Sequence, residues 1–371
     1  MKFPHSWKLA CLALMAFSCS QQTQTQVSTP KASEAPTYFT SEEETLYLGE
    51  YQPSAFSQSL QPGNRILELE DWNVWGCSPI MGPDGKVHVF FSRWPGDHSN
   101  WLTQSEIAHA VADQPEGPYT VIGTVLKGRG GAFWDAHTIH NPTVQKVGDK
   151  YAMFYLGNNL DRAADFDGQH ASTQRIGLAM ADDLNGPWTR VSEEPILDIS
   201  DTRADWDSYL TTNPALLQHP DGRYWLYYKA WDRYNDKMRK MGVAISDQIE
   251  GPYEKVDTNP LVSFSHLKKQ VEDAYVFYHD AKFYMVMRDM GVIHPHAGLI
   301  LESKDGLNWS EPMLGYGFSR DFLGEEKIER FERPQVLMID GQPSYLFLAA
   351  MGGKYGTSTA AVLKIDHSIF K

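Results

Sequence analysis

Asn213-Pro214-Ala215-Leu216, then Asp221-Gly222, then Tyr224-Trp225-Leu226-Tyr227-Tyr228, then Gly242-Val243-Ala244-Ile245, and last Gly251-Pro252-Tyr253: this stretch decides the fold. It opens on a polar residue before proline, turns at Asp-Gly, and continues into an aromatic run. A strand of small residues and a Gly-Pro-aromatic corner complete it. The same order returns from Asn141-Pro142 through Tyr151–Tyr155 and Ile176–Ala179 to Gly186-Pro187-Trp188. An earlier copy runs from Ser78-Pro79 through Val87–Phe91 and Ile107–Ala110 to Gly117-Pro118-Tyr119. Looser copies start at Glu272-Asp273 and Arg333-Pro334. Each copy holds three evident strands, with room for a fourth after the corner, as in Thr120–Gly123. Four short antiparallel strands per repeat make a propeller blade, and five copies make five blades. The fold class is therefore all-β, a five-bladed β-propeller of four-stranded antiparallel blades. The last copy stops without an outer strand. Asn64–Leu69 alternates apolar with polar residues and is expected to fill that place, closing the ring and removing an exposed edge.

The rest of the chain fits an exported protein. Lys2 and Lys8 flank the start of an apolar run, Leu9–Phe17, that is too short to span a bilayer. Ser18-Cys19 follows, with Ala16 three residues before the cysteine, as at a bacterial lipoprotein cleavage site. Residues 1–19 read as a signal with Cys19 as the lipidated residue, 20–37 as a flexible tether, and 38–371 as the propeller. The expected location is the periplasm or cell surface, on the outer membrane, with contact to lipid through the anchor alone. Cys77 is then the one cysteine of the folded part, so no internal disulfide is available. The formal charge of −14 excludes a nucleic-acid partner but not a small anionic ligand in its own pocket.

In a propeller the first strand of each blade lines the axis, so the residues around those strands converge. By blade they include Trp75; Asp135, His137, His140 and Asn141; Asp207 and Asn213; Glu272 and Asp273; and Glu332 with Arg333. Purely apolar packing needs none of these groups, and burying them unpaired costs several kcal/mol each, on the order of 2–7. The second strands end on Arg93, Lys229 and Arg288, three cations suited to a carboxylate or sulfate, or to pairing with the acids. Metal-ligand spacing is poor: His137 and His140 fall on opposite faces of a strand, and no metal or cofactor is expected. There is no phosphate loop and no Gly-x-Ser-x-Gly elbow.

The polar-Pro-x-apolar blade starts, Asp-Gly-x-aromatic turns and Gly-Pro-Trp/Tyr corners resemble the five-bladed propeller glycosidases, glycoside hydrolase family 43 and its relative family 117. The similarity covers about residues 64–365. The resemblance implies a base before the blade-one proline, where Ser78 stands, and a helper aspartate where Asn213 stands. It also implies a general acid at the opening of blade four, where Glu272 stands. Three readings follow. The first is a glycoside hydrolase acting on cell-wall oligosaccharides, anionic algal ones among them, with Glu272 as proton donor and Asp135 or Glu332 as base. The second is a uronate lyase or dehydratase. In it Arg93, Lys229, Arg288 or Arg333 neutralises the sugar carboxylate, and His137, His140 or Tyr209 removes the α-proton. The third is a sugar-binding lipoprotein without catalysis. In all of them the partner is an oligosaccharide or polysaccharide.

Overall fold

The computed structural model describes residues 53–165 and 168–370. The signal, Cys19 and the tether lie outside them. The twenty described strands form five four-stranded antiparallel sheets. A short strand, β1 (Asn64–Ile66), precedes blade one, which is β2 (Asn73–Met81), β3 (Val87–Trp94), β4 (Glu106–Ala112) and β5 (Thr120–Leu126). Blade two is β6 (Thr138–Val147), β7 (Lys150–Asn158), β8 (Arg175–Ala181) and β9 (Thr189–Arg190). Blade three is β10 (Leu210–Gln218), β11 (Tyr224–Trp231), β12 (Lys240–Ser246) and β13 (Glu254–Lys255). Blade four is β14 (Gln270–His279), β15 (Lys282–Met290), β16 (Gly298–Ser303) and β17 (Met313–Tyr316). Blade five is β18 (Phe331–Ile339), β19 (Gln342–Ala350) and β20 (Thr359–Lys364), completed by β1 on the far side of β20. Arg65 opposite Ala361 fixes that closing register. The expected five blades and their closure by the segment before blade one are both present.

Period-2 alternation builds the core between blades. On β11, Trp225 and Tyr227 face the cluster shared with blade four, while Leu226 and Tyr228 face the one shared with blade two. Each blade thus presents apolar side chains on both faces, and five such interfaces close the ring. Every fully buried Leu, Val or Phe there contributes roughly 1.5–3 kcal/mol. Cys77 is buried and free, as expected of a lone thiol. At the corners, Gly117, Gly186 and Gly251 have φ of 84°, 87° and 90°, which glycine adopts without strain.

The inner strand of every blade carries a bulge at one corresponding place. The register to the second strand slips between Trp75 and Ser78, His140 and Thr143, Thr212 and Ala215, Glu272 and Tyr275, and Glu332 and Gln335. The first residue inside each slip has positive φ: Gly76, Asn141, Asn213, Asp273 and Arg333, all between 50° and 63°. A bulge re-aims the side chains on either side of it. Here it produces two stacked rings around the axis. The upper ring is Trp75, His140, Thr212, Glu272 and Glu332. The lower ring is Gly76, Asn141, Asn213, Asp273 and Arg333. Blade one therefore departs from the sequence alignment by two residues, because Ser78 matches Thr143 and not Asn141. The place before the blade-one proline of the resemblance is structurally that of Gly76. A Cβ there would come within 2.7 Å of Asn141 Oδ1 and 3.5 Å of Arg333 Nε, so the Asn141 side chain, with Arg333 beyond it, takes the room that glycine leaves.

Candidate active site

The lower ring closes the channel. Asn141 Nδ2 donates to Asn213 Oδ1 at 2.9 Å, and Asn213 Nδ2 donates to Asp273. Arg333, fully buried, donates to the Asn141 carbonyl at 3.4 Å and has Asp273 as its main counter-charge. Above this floor opens a pocket of about 320 Å3 lined by upper-ring residues and by loops. That volume lies within the range of small-ligand sites.

Two glutamates dominate it. Glu272 Oε2 accepts from Lys229 Nζ at 2.8 Å and lies 3.4 Å from Arg239 Nε, while Oε1 accepts from Arg288. Glu332 Oε1 lies 2.8 Å from the same Arg288 Nη1 and against Arg330 Nε, without the alignment of a hydrogen bond from either. The consequences differ. Burial pushes Glu272 up, but Lys229, Arg239 and Arg288 together outweigh it and hold the carboxyl well below the usual range. For Glu332 burial wins: with Glu272 and Asp273 adding to it against Arg288 and Arg330, its pKa is pushed up to about 7. The expected assignment of proton donor to Glu272 thus meets the opposite charge state, because Glu272 holds the aligned cations and Glu332 does not.

Oxygens of Glu272, Asp273 and Glu332 lie within 4.8 Å of one another. Lys229, Arg288 and Asn213 already engage Glu272 and Asp273, so this is a salt-bridge cluster and not an open coordination shell. His140 completes the wall: its Nδ1 bonds Ser105 Oγ at 2.7 Å. Burial, with Arg333, His98 and Lys229 nearby, keeps its pKa well below the ordinary value.

The structure brings Trp75, His140, Asn141, Asn213, Lys229, Glu272, Asp273, Arg288 and Glu332 to one pocket, with Arg333 beneath it. Four residues expected there are elsewhere. Asp135 Oδ2 accepts from Tyr155 Oη (2.9 Å) and Arg190 Nε (2.7 Å), and its Oδ1 accepts from Arg129 Nε (2.5 Å). Asp207 Oδ2 repeats the pattern with Tyr228 Oη (2.9 Å) and Lys255 Nζ (2.6 Å). Each aspartate clamps the second strand of its blade to the outer strand and is not among the pocket-lining residues. Arg93 misses by one residue of register. Lys229 faces Thr212 and Arg288 faces Glu272, but in blade one it is Ser92 that faces Trp75. Arg93 therefore points to the other side, onto Glu106 (2.9 Å) and Thr124. His137 is exposed, 3.7 Å from Asp161, also off the pocket.

Further residues line the pocket from outside the inner and second strands. His98 and Trp101 come from the insertion between β3 and β4, Gln174 from the β7–β8 connection, Arg239 from the β11–β12 connection, and Arg330 from the residue before β18. Trp75, Trp94 and Trp231, at the inner- and second-strand positions of their blades, form an aromatic wall with Trp101 of the insertion, while Trp134 lies off the pocket.

The axial bulges and a carboxylate pair ringed by cations define a five-bladed propeller with a charged pocket at the mouth of its axis. No family model matches the chain. In sequence it is 28% identical over 234 residues to an extracellular endo-α-(1→5)-L-arabinanase of Thermotoga petrophila, covering 58% of this chain and 46% of that protein. It is 30% identical over 170 residues to extracellular endo-α-(1→5)-L-arabinanase 2 of Bacillus subtilis, covering 41% and 34%. The chain spans about half or less of the length of these curated relatives. In structure it matches a family 117 glycoside hydrolase of Zobellia galactanivorans with a TM-score of 0.65 at 18% identity, over 84% of this chain and 92% of that one. A family 43 β-xylosidase/α-arabinofuranosidase from a compost metagenome matches with a TM-score of 0.54 at 14% identity, over 82% and 94%. The chain therefore shares the five-bladed propeller fold of these solved glycoside hydrolases.

Proposed function

We propose that the chain is a glycoside hydrolase acting on a cell-wall oligosaccharide, with Glu332 as proton donor and Glu272 as its ionised partner. The carrying observation is that one environment pushes these neighbouring carboxyls apart: Glu332 up to about 7, Glu272 well below the usual range. A pair so divided supplies the acid and the base or nucleophile that glycosidic cleavage needs. Glu332 protonates the leaving oxygen as the C–O bond breaks, and Glu272 bonds the anomeric carbon. Water, giving its proton to the Glu332 carboxylate, then displaces Glu272 and restores both groups. The nearest oxygens of the pair lie within 4.8 Å, and this close approach favours the roughly 5–5.5 Å carboxyl separation of a retaining pair over the roughly 6.5–9.5 Å of an inverting one. Gly76 stands where the resemblance has its base, which leaves the lower ring no part in this chemistry beyond support.

Elimination finds less support. Arg93 and His137 are off the pocket, and an imidazole held as far down as that of His140 is a weak base. The test is incubation with cell-wall oligosaccharides, followed by proton NMR. New reducing ends of retained configuration, without a conjugated double bond, are expected; an unsaturated product overturns the hydrolase reading.

Export and lipidation at Cys19 form part of the same proposal, supported by the signal pattern and by relatives described as extracellular. Fatty-acid labelling of the expressed chain, absent in Cys19→Ala, is the expected result; equal labelling of both chains contradicts it.

A further inference from the structure

The mouth of the channel carries more positive charge than its catalytic acids require. Side chains run in alternation: Arg239, Glu272, Arg288, Glu332, Arg330. Both ends of this row are guanidiniums. Lys229 stands beside it and Arg333 below it, so five cations meet the three carboxylates Glu272, Asp273 and Glu332. In a chain of net charge −14 that surplus is local and opposite in sign to the whole.

The surplus donors are also unspent. A guanidinium has five N–H donors. Arg330 spends none in an aligned hydrogen bond: its Nε touches Glu332 out of line, and its terminal nitrogens have no partner among the described residues. Its side chain is 36% exposed, at the open side. Arg239 makes only marginal bonds, at 3.5 Å to Gln270 Oε1 and 3.4 Å to Met290 Sδ, and lies 5.2 Å from the Trp231 ring centre. Were these arginines present only to balance the glutamates, they would be aligned on them as Lys229 and Arg288 are on Glu272. Instead the terminal nitrogens of Arg330 and Nη2 of Arg239 make no hydrogen bond among the described residues, and both side chains line the pocket with Trp101 and Trp231.

We propose that this pocket selects a sugar bearing an anionic group, a carboxylate or a sulfate ester, held by the free guanidinium ends of Arg239 and Arg330. The inference rests on the pocket being the sugar site of the hydrolase reading. Charge-assisted, bidentate contacts of this kind are the geometry arginine offers to planar or tetrahedral anions.

Free monosaccharides test it separately from hydrolysis, since they hold no bond to cleave. Titration calorimetry on the wild-type protein would compare glucuronate, galacturonate, mannuronate and guluronate with the corresponding neutral hexoses, and with glucose and galactose 6-sulfates. At least one acid is expected to bind about 10-fold or more tighter than its neutral counterpart, with the ratio falling as salt rises. The Arg239→Gln/Arg330→Gln double variant is expected to bring the ratio near one. A sulfate preferred over every uronate identifies the anion as the ester; the reverse identifies the carboxylate. Neutral sugars binding as well as every acid, no acid binding at all, or a preference that survives in the double variant each overturns the proposal. Acid-selective binding without turnover of any oligosaccharide would leave this inference standing and remove the hydrolase reading.

Discussion

Glu332→Gln abolishes most turnover, by about 10²–10⁴-fold in kcat, while leaving the fold intact. The amide keeps the shape of the side chain but cannot give up a proton to the leaving oxygen. The pH dependence of the unaltered enzyme follows from the same group. With its pKa pushed up to about 7, Glu332 is protonated below that pH and ionised above it. Activity therefore holds on the acidic side and falls as pH rises through about 7. Stability carries the same sign. A carboxyl raised on folding contributes stability below its ordinary pKa, and that contribution is lost as pH rises through the raised value. Glu332→Gln removes this loss, so the variant gains stability relative to the parent above pH 7. Denaturant melts at pH 5 and 8 beside the pH–rate profile check both statements; a variant that is active but unstable would assign Glu332 to structure.

Glu272→Gln has the second large effect and a different signature. The loss of an ionised partner facing the anomeric carbon costs at least about 10³-fold in kcat. The substitution also removes the main anion of Lys229 and Arg288, but Asp273 remains 3.8 Å from Lys229 and Glu332 2.8 Å from Arg288, so the stability cost stays below the roughly 3–5 kcal/mol of a wholly unpaired buried charge. Glu272 is moreover one of the groups that raise Glu332. Removing it frees Arg288 for Glu332, so the alkaline limb of any residual activity moves to lower pH. Asp135→Asn is the control. It disturbs the Arg129–Asp135–Arg190 clamp, so the expected loss is about 3 kcal/mol of stability with kcat of the folded fraction little changed. Rates measured at a temperature where all variants are folded separate the two. A shift of the limb in Asp135→Asn, or its absence in Glu272→Gln, contradicts the account.

The blades were legible because their signals are local. Asn213-Pro214, Asp221-Gly222 and Gly251-Pro252 each fix a turn by their own backbone chemistry, and the strands between them alternate. Blade one misled by two residues because Ser78-Pro79 imitates the Asn-Pro of its neighbours, while the residue that takes the positive φ is Gly76. A glycine leaves no side chain to align. The same kind of slip moved Arg93 to the wrong face: one residue of register reverses a strand's side chain, and nothing in Phe91-Ser92-Arg93 announces which residue faces Trp75. Asp135 and Asp207 taught a different lesson. Their recurrence was real, but repeated residues in a repeat protein also mark a repeated structural clamp, here aspartate to tyrosine to a cation on the outer strand. Glu272 and Glu332 are legible in the sequence as axis-lining acids, and both line the pocket, whereas the charge state each is held in is not legible. It depends on which carboxylate the cations approach in line, and Arg239 arrives from a connection that carries no repeat signal.

The most direct measurement is a crystal structure of Glu332→Gln with an uncleaved oligosaccharide bound. The scissile glycosidic oxygen is expected within hydrogen-bond reach of the side chain at position 332, with the anomeric carbon facing the Glu272 carboxylate. An oligosaccharide whose glycosidic bond lies against the Asp135 clamp, or anywhere outside the mouth formed by Glu272, His140 and Arg288, would contradict it.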